Sequence, residues 1–156
     1  MKEYHYTECG LDNIYLINGF TIEKLKNGEE TIHIHDIHKL HYVIGNSLVF
    51  KRGLLTGKEV QFIRKTMDLS QTALGKLLGV EYQSVLGWEK NKNPISKTAD
   101  HFLKMIFFTY LEEDKDSSAY KMINEISDLD INDAQSTKQN KIEFQEKNDK
   151  WEAAVA

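Results

Sequence analysis

Apolar and polar positions alternate along this chain first with the period of strands and then with the period of helices. Ile14-Tyr-Leu-Ile-Asn-Gly-Phe20 is rich in β-branched and aromatic types, and Thr21-Ile-Glu-Lys-Leu25 alternates apolar with polar. Asn27-Gly28 is a turn signal, because both residue types tolerate the positive φ of a tight hairpin. Thr31-Ile-His-Ile-His35 alternates again, so residues 14 to 34 predict a small antiparallel sheet. Asp36 fits a helix N-cap. Ile37, Leu40, Ile44 and Leu48 follow at spacings of three and four, which puts them on one helix face. This helix is expected to cover the sheet, and Gly53 to break the chain after it.

Residues 54 to 111 read as a compact run of helices. Thr56 caps a first one with Val60, Ile63 and Met67 on its apolar face. Ser70 caps a second, whose stripe is Ala73, Leu74, Leu77 and Leu78, and Gly79 stops it. A third begins near Glu81 or Tyr82 and buries Val85, Leu86 or Trp88. Asn91 to Pro94 is a loop, and Ser96 caps a fourth. In that last helix Phe102-Leu-Lys-Met-Ile-Phe-Phe-Thr-Tyr-Leu111 is apolar all round, so every side of it needs cover. A second subunit or the N-terminal sheet would provide it. A homodimer contact through Phe102, Ile106, Phe107 and Tyr110 is the expectation carried forward. Ala119, Met122, Ile123, Ile126 and Leu129 predict one more short amphipathic helix. Residues 131 to 150 are too polar to hold a fold, with Phe144 and Trp151 as isolated apolar positions.

Composition narrows the class. The 156 residues suit one domain or two small ones, with 40% hydrophobic and 28% charged residues as in an ordinary globular chain. One proline excludes a Pro-rich linker, and Cys9 as the only cysteine excludes a disulfide framework and a cysteine-built metal cage. No apolar run is long enough to span a bilayer and the N-terminus is no signal peptide, so a cytoplasmic protein without membrane association is expected. The net charge of -4 is uneven: residues 51 to 104 hold ten Lys/Arg against five Asp/Glu, while both flanks are acidic. A basic middle between acidic ends suits a module that meets a polyanion.

The stretch Leu69-Ser-Gln-Thr-Ala-Leu-Gly-Lys-Leu-Leu-Gly-Val-Glu-Tyr-Gln-Ser-Val-Leu-Gly-Trp-Glu-Lys-Asn-Lys-Asn-Pro94 carries the functional signal. One capped helix, a Gly-Val turn and a second short helix anchored by Val85 and Trp88 leave polar Gln83 and Ser84 at a helix N-terminus. A helix fits the B-form major groove, and its N-terminal side chains reach base edges. At Ser70, Gln71, Leu74, Leu77 or Leu78, Gly79, Val80, Val85, Trp88, Glu89 and Lys92 the chain resembles the Cro/repressor-like (XRE) helix-turn-helix family.

That resemblance implies a fold and roles. The class is α+β: a small antiparallel β N-terminal domain with one helix, then an all-α lambda-repressor-like helix-turn-helix domain, then a C-terminal helical and flexible tail. Residues 1–52, 53–111 and 112–156 would be these three parts. Tyr82, Gln83, Ser84 and Gly87 would face bases, although relatives often carry Arg or another base-reading side chain where Gly87 stands. Gln suits a bidentate contact with adenine. Ser70, Gln71, Lys90, Asn91 and Lys92 would hold phosphates. Gly75 stands where the family usually has Ala, so the helix pair is expected to approach closely there, at about 1 kcal/mol of helix propensity. The N-terminal run Tyr6-Thr-Glu-Cys-Gly-Leu-Asp-Asn-Ile-Tyr-Leu-Ile-Asn-Gly-Phe20 resembles the MqsA-type antitoxins with a YgiT-like domain. This resemblance implies a dimer that represses its own operon and neutralises a toxin. Zinc-binding members have two Cys pairs, of which only Cys9 is present.

His5, His33, His35, His38 and His41 cluster in the N-terminal half. With His5 or Cys9, His33, His35, His38 and His41 would supply zinc ligands in one alternative; a surface or interface cluster with no metal is the other, and the one favoured. No phosphate-cradling glycine loop, nucleophile elbow or HExxH is present, so no catalytic residues and no enzyme are expected. The expected partners are a double-stranded DNA operator, a second copy of the chain and a cognate toxin. The alternatives are a stand-alone regulator, or a metal- or protein-binding module with a degenerate helix-turn-helix.

Overall fold

Short polar residues start most of the helices. In the computed structural model, which describes residues 2–112, 118–127 and 141–154, Asp36 Oδ1 accepts from Lys39 N at the start of α1 (Ile37–Val49). Thr56 and Glu59 form a reciprocal capping box on α2 (Gly57–Thr66). Ser70 Oγ accepts from Ala73 N to cap α3 (Gln71–Leu78), and Ser96 Oγ does the same with Ala99 N for α5 (Lys97–Leu111). Between those two lies α4 (Tyr82–Glu89), whose N-cap Glu81 makes no side-chain cap bond. Gly79 ends α3 in the left-handed region at φ 71°, where a side chain would be strained. The last helix is α6 (Ser118–Ser127). It contains Ala119, Met122, Ile123 and Ile126 as expected; Leu129 lies outside the described residues.

The strands are short and pair only in twos, which makes the protein a mixed α+β fold. β1 (Tyr4–His5) pairs antiparallel with β2 (Tyr15–Leu16), and β3 (Phe20–Lys24) with β4 (Glu30–Ile34). The single N-terminal sheet expected from residues 14 to 34 is therefore two separate ribbons. Gly19, at φ 80°, turns the chain between them and breaks the run into two strands. β5 (Phe144–Lys147) pairs with β6 (Lys150–Ala153). Residues 131 to 150 are expected to be too polar to hold a fold; their described part, from residue 141, enters this ribbon, both strands of which are exposed.

Packing corrects two further expectations. The helix α1 lies chiefly on α5, not on the strands. Gly45 permits this: a Cβ there would come within 2.8 Å of the Phe107 ring. Leu40, Ile44 and Leu48 face inward as expected, whereas Ile37 is exposed. Much of the apolar surround of α5 is consequently covered within the chain. Ile106 and Phe107, 2% and 0% exposed, belong to the core with Val60, Ile63, Leu74, Val85 and Leu103, and are withdrawn from the dimer contact. Phe102 is half-buried, and Tyr110 donates from its hydroxyl to Thr66 O. The side of α5 left open is Met105, 68% exposed, with Phe108, whose ring lies near-perpendicular to that of Phe50 with centroids 5.9 Å apart.

A polar knot ties the segment between α1 and α2 to α5. Asp100 Oδ1 accepts from Leu55 N at 2.7 Å, and Lys104 Nζ lies 2.9 Å from Asp100 Oδ2 while donating to Lys51 O and Gly53 O. Tyr6, Leu11 and Leu16 enter the same core as the helices. No helix among the described residues is long and apolar enough to cross a membrane.

Candidate nucleic-acid interface

The candidate surface is built on α3, α4 and the loop that follows. The chain reverses through Gly79, Val80 and Glu81, and Val80 N donates to Gly75 O at 2.8 Å. A Cβ on Gly75 would stand 2.7 Å from Val80 O, so the close approach expected at this glycine is present. Val85 and Trp88 are buried and fix one face of α4. The first turn of α4 points outward: Tyr82 is 45% exposed, and Gln83 and Ser84 are exposed beside it.

The far end of α4 is held just as closely. Gly57, the first residue of α2, lies where a Cβ would be 2.3 Å from Trp88 O and 2.8 Å from Asn91 Oδ1. Asn91 adopts φ 56°, and its N–H donates to Trp88 O. The loop then folds back, with Lys92 N donating to Gly87 O at 2.9 Å. Lys90, Asn91 and Lys92 are exposed on this loop. Gly87, by contrast, is buried, and a Cβ on it would meet Asn93 Nδ2 at 3.4 Å. It is corrected out of the base-facing set, because the loop lies over it.

Beneath the surface runs an ion pair that the pattern of the sequence did not reveal. Arg64 of α2 donates from Nε to Glu89 Oε1 at 2.6 Å and from Nη2 to Oε2 at 3.2 Å, while Nη1 reaches Leu69 O at 3.0 Å. Gln71 Nε2 donates to Glu89 Oε2 at 2.8 Å. One amide hydrogen of Gln71, expected on a phosphate, is therefore turned inward to Glu89. Ser70 remains exposed at the start of α3, with its oxygen accepting from Ala73 N. Spacing could not have singled out Arg64, since it reads as one more basic residue on an amphipathic helix.

The histidines are separated by their partners. His5 Nε2 bonds Asp12 O at 2.6 Å and its ring stacks on Tyr15, whereas His41 Nε2 meets the Tyr6 hydroxyl at 2.7 Å. Burial holds His41 below the ordinary histidine range, and neighbouring His38 adds to the effect. Cys9 Sγ donates to Tyr6 O. Among the described residues, no three His, Cys, Asp or Glu side chains converge as a metal site.

Comparison of the chain with protein-family models, with curated proteins and with solved structures finds no match.

Proposed function

We propose that this chain is a sequence-specific double-stranded-DNA-binding repressor that acts as a homodimer, with α3, its turn and α4 forming a helix-turn-helix. Tyr82, Gln83 and Ser84 read bases from the first turn of α4. Ser70, Gln71, Lys90, Asn91 and Lys92 hold the flanking phosphates. The observation that supports this reading most is that α4 is anchored along Val85 and Trp88 while its opening turn stands exposed, with a lysine-bearing loop at its other end. The excess of Lys/Arg between residues 51 and 104 supports it independently.

Within this reading the chain is a cytoplasmic antitoxin that represses its own operon. The support is the resemblance of residues 6 to 20 to antitoxin N-terminal domains. Fluorescence anisotropy against the chain's own upstream DNA and a scrambled duplex, at about 50 and about 200 mM salt, tests it. The expected result is a preference for the upstream DNA of at least ~100-fold and a steep loss of affinity with salt. Equal and weak binding to both duplexes would overturn the autoregulatory reading.

A further inference from the structure

The ribbon β5–β6 has an apolar face that the described residues do not cover. Its turn is Asn148-Asp149, with φ of 54° and 57°, the positive values a two-residue hairpin loop requires. Phe144 pairs with Ala153 and Glu146 with Trp151, which sets these four on one side of the ribbon. Ile142 continues that side. Gln145, Lys147, Lys150 and Glu152 lie on the other, where Gln145 Nε2 donates to Glu152 Oε1. Phe144 and Trp151 are 64% and 74% exposed, and Ile142 is exposed too. A lone two-stranded ribbon is marginal in water, and further strands sharing its apolar face, or a helix packed on it, stabilise it.

The two edges of the ribbon are not equivalent. Ala154 N donates to Glu143 O. With the alternation of an antiparallel ladder, residues 150 and 152 also turn their backbone groups toward β5. The N–H and C=O of Trp151 and Ala153 therefore face outward along the free edge of β6.

We propose that β6 is a dimerisation strand that pairs antiparallel with β6 of a second copy, about a two-fold axis at Trp151. Charge favours this register over those centred on Lys150 or Glu152. Centred on Trp151, Lys150 of each copy stands opposite Glu152 of the other, twice, and the two Trp151 residues exchange backbone bonds. Centred on Glu152, the same edge would oppose two glutamates. The β5 edge fails in each register: a two-fold at Phe144 opposes Lys141 to Lys147, one at Gln145 opposes Phe144 to Glu146, and one at Glu146 opposes it to itself. The product is a four-stranded sheet, β5-β6-β6-β5, with Ile142, Phe144, Glu146, Trp151 and Ala153 of both copies on one face. It provides the second copy invoked in the proposed function but stands whether or not α4 reads DNA.

The test measures the mass of the full chain in solution, by light scattering over a concentration series, for the wild type, Lys150→Glu, Glu152→Lys and an equimolar mixture of the two variants. The expected wild type is a dimer. Either substitution sets like charges opposite each other and raises the dimer dissociation constant about tenfold or more. The mixture regains wild-type association, because each strand then meets its opposite. A monomeric wild type would overturn the proposal and leave the ribbon face to a different protein. A dimer that neither substitution weakens, or a mixture no tighter than its components, would also overturn it. Loss of the DNA preference with these masses intact would count against the DNA reading alone.

Discussion

Arg64 and Glu89 form a two-pronged ion pair between α2 and the last residue of α4, with side chains only 12% and 5% exposed. Removing one partner leaves a buried charge without its counter-charge. Arg64→Met is expected to lower stability by about 3–5 kcal/mol. Adding Glu89→Gln should recover part of the loss, since a neutral amide still bonds Gln71. Urea unfolding midpoints measure both. A loss no larger than that of Lys58→Met, at an exposed pair with Asp12, would refute the view that this contact holds α4.

Gly75→Ala replaces a poor helix former with the best one, a gain of about 1 kcal/mol by propensity alone. The new methyl group would meet Val80 O at 2.7 Å, which forces α3 and the turn apart. The net expectation is destabilisation of about 1–3 kcal/mol. A thermal scan that finds the variant more stable would show that the turn yields without cost.

Gln83 and Lys92 are expected to fail differently in DNA titrations. Gln83→Ala should cost about 1–3 kcal/mol on the operator, with relaxed discrimination at one base step. Lys92→Ala should weaken binding to all sequences alike and lower the salt slope by about one. Equal losses on operator and random DNA for Gln83→Ala would assign it to the backbone.

His41 sets an acid limit. Burial first, and His38 second, depress its folded-state value below the ordinary 6.5. The unfolded chain therefore takes up the proton more readily. The stabilisation is fully present above about 6.5 and is lost as pH falls through that value toward the folded one. Urea midpoints should drop between about pH 7.5 and about pH 5, and His41→Gln, which keeps a hydrogen-bonding group for Tyr6, should flatten the drop. Parallel pH profiles for the two proteins would remove His41 as the cause.

Local chemistry was legible where a residue acts on its own neighbourhood. Thr56, Ser70 and Ser96 cap helices because a short hydroxyl reaches an N–H three residues on, and Gly79 ends α3 because glycine takes up that left-handed backbone without strain. The destination of a face was not legible. The stripe Leu40, Ile44 and Leu48 says that α1 is buried but not that Phe107 fits over Gly45. The all-apolar α5 was visible, yet only packing separates Ile106 and Phe107, which are internal, from Met105 and Phe108, which are not. The hairpin after residue 141 went unseen because its alternation, Ile142, Phe144, Trp151 and Ala153, is diluted by a polar surround. At the candidate interface, Tyr82, Gln83 and Ser84 are exposed on the first turn of α4, while Gly87 is hidden by a loop whose backbone bonds leave no mark in composition.

The two glycines that bracket α4 have a consequence for change over time. Gly75 meets the turn before the helix and Gly57 meets the carbonyls at its end, so backbone contacts at its two extremities hold the helix in place. The side chains of Tyr82, Gln83 and Ser84 take no part in that clamp. They form an exchangeable insert on a rigid frame: a lineage can rewrite the opening turn without refolding the domain, whereas a single methyl group at either glycine disturbs the frame itself.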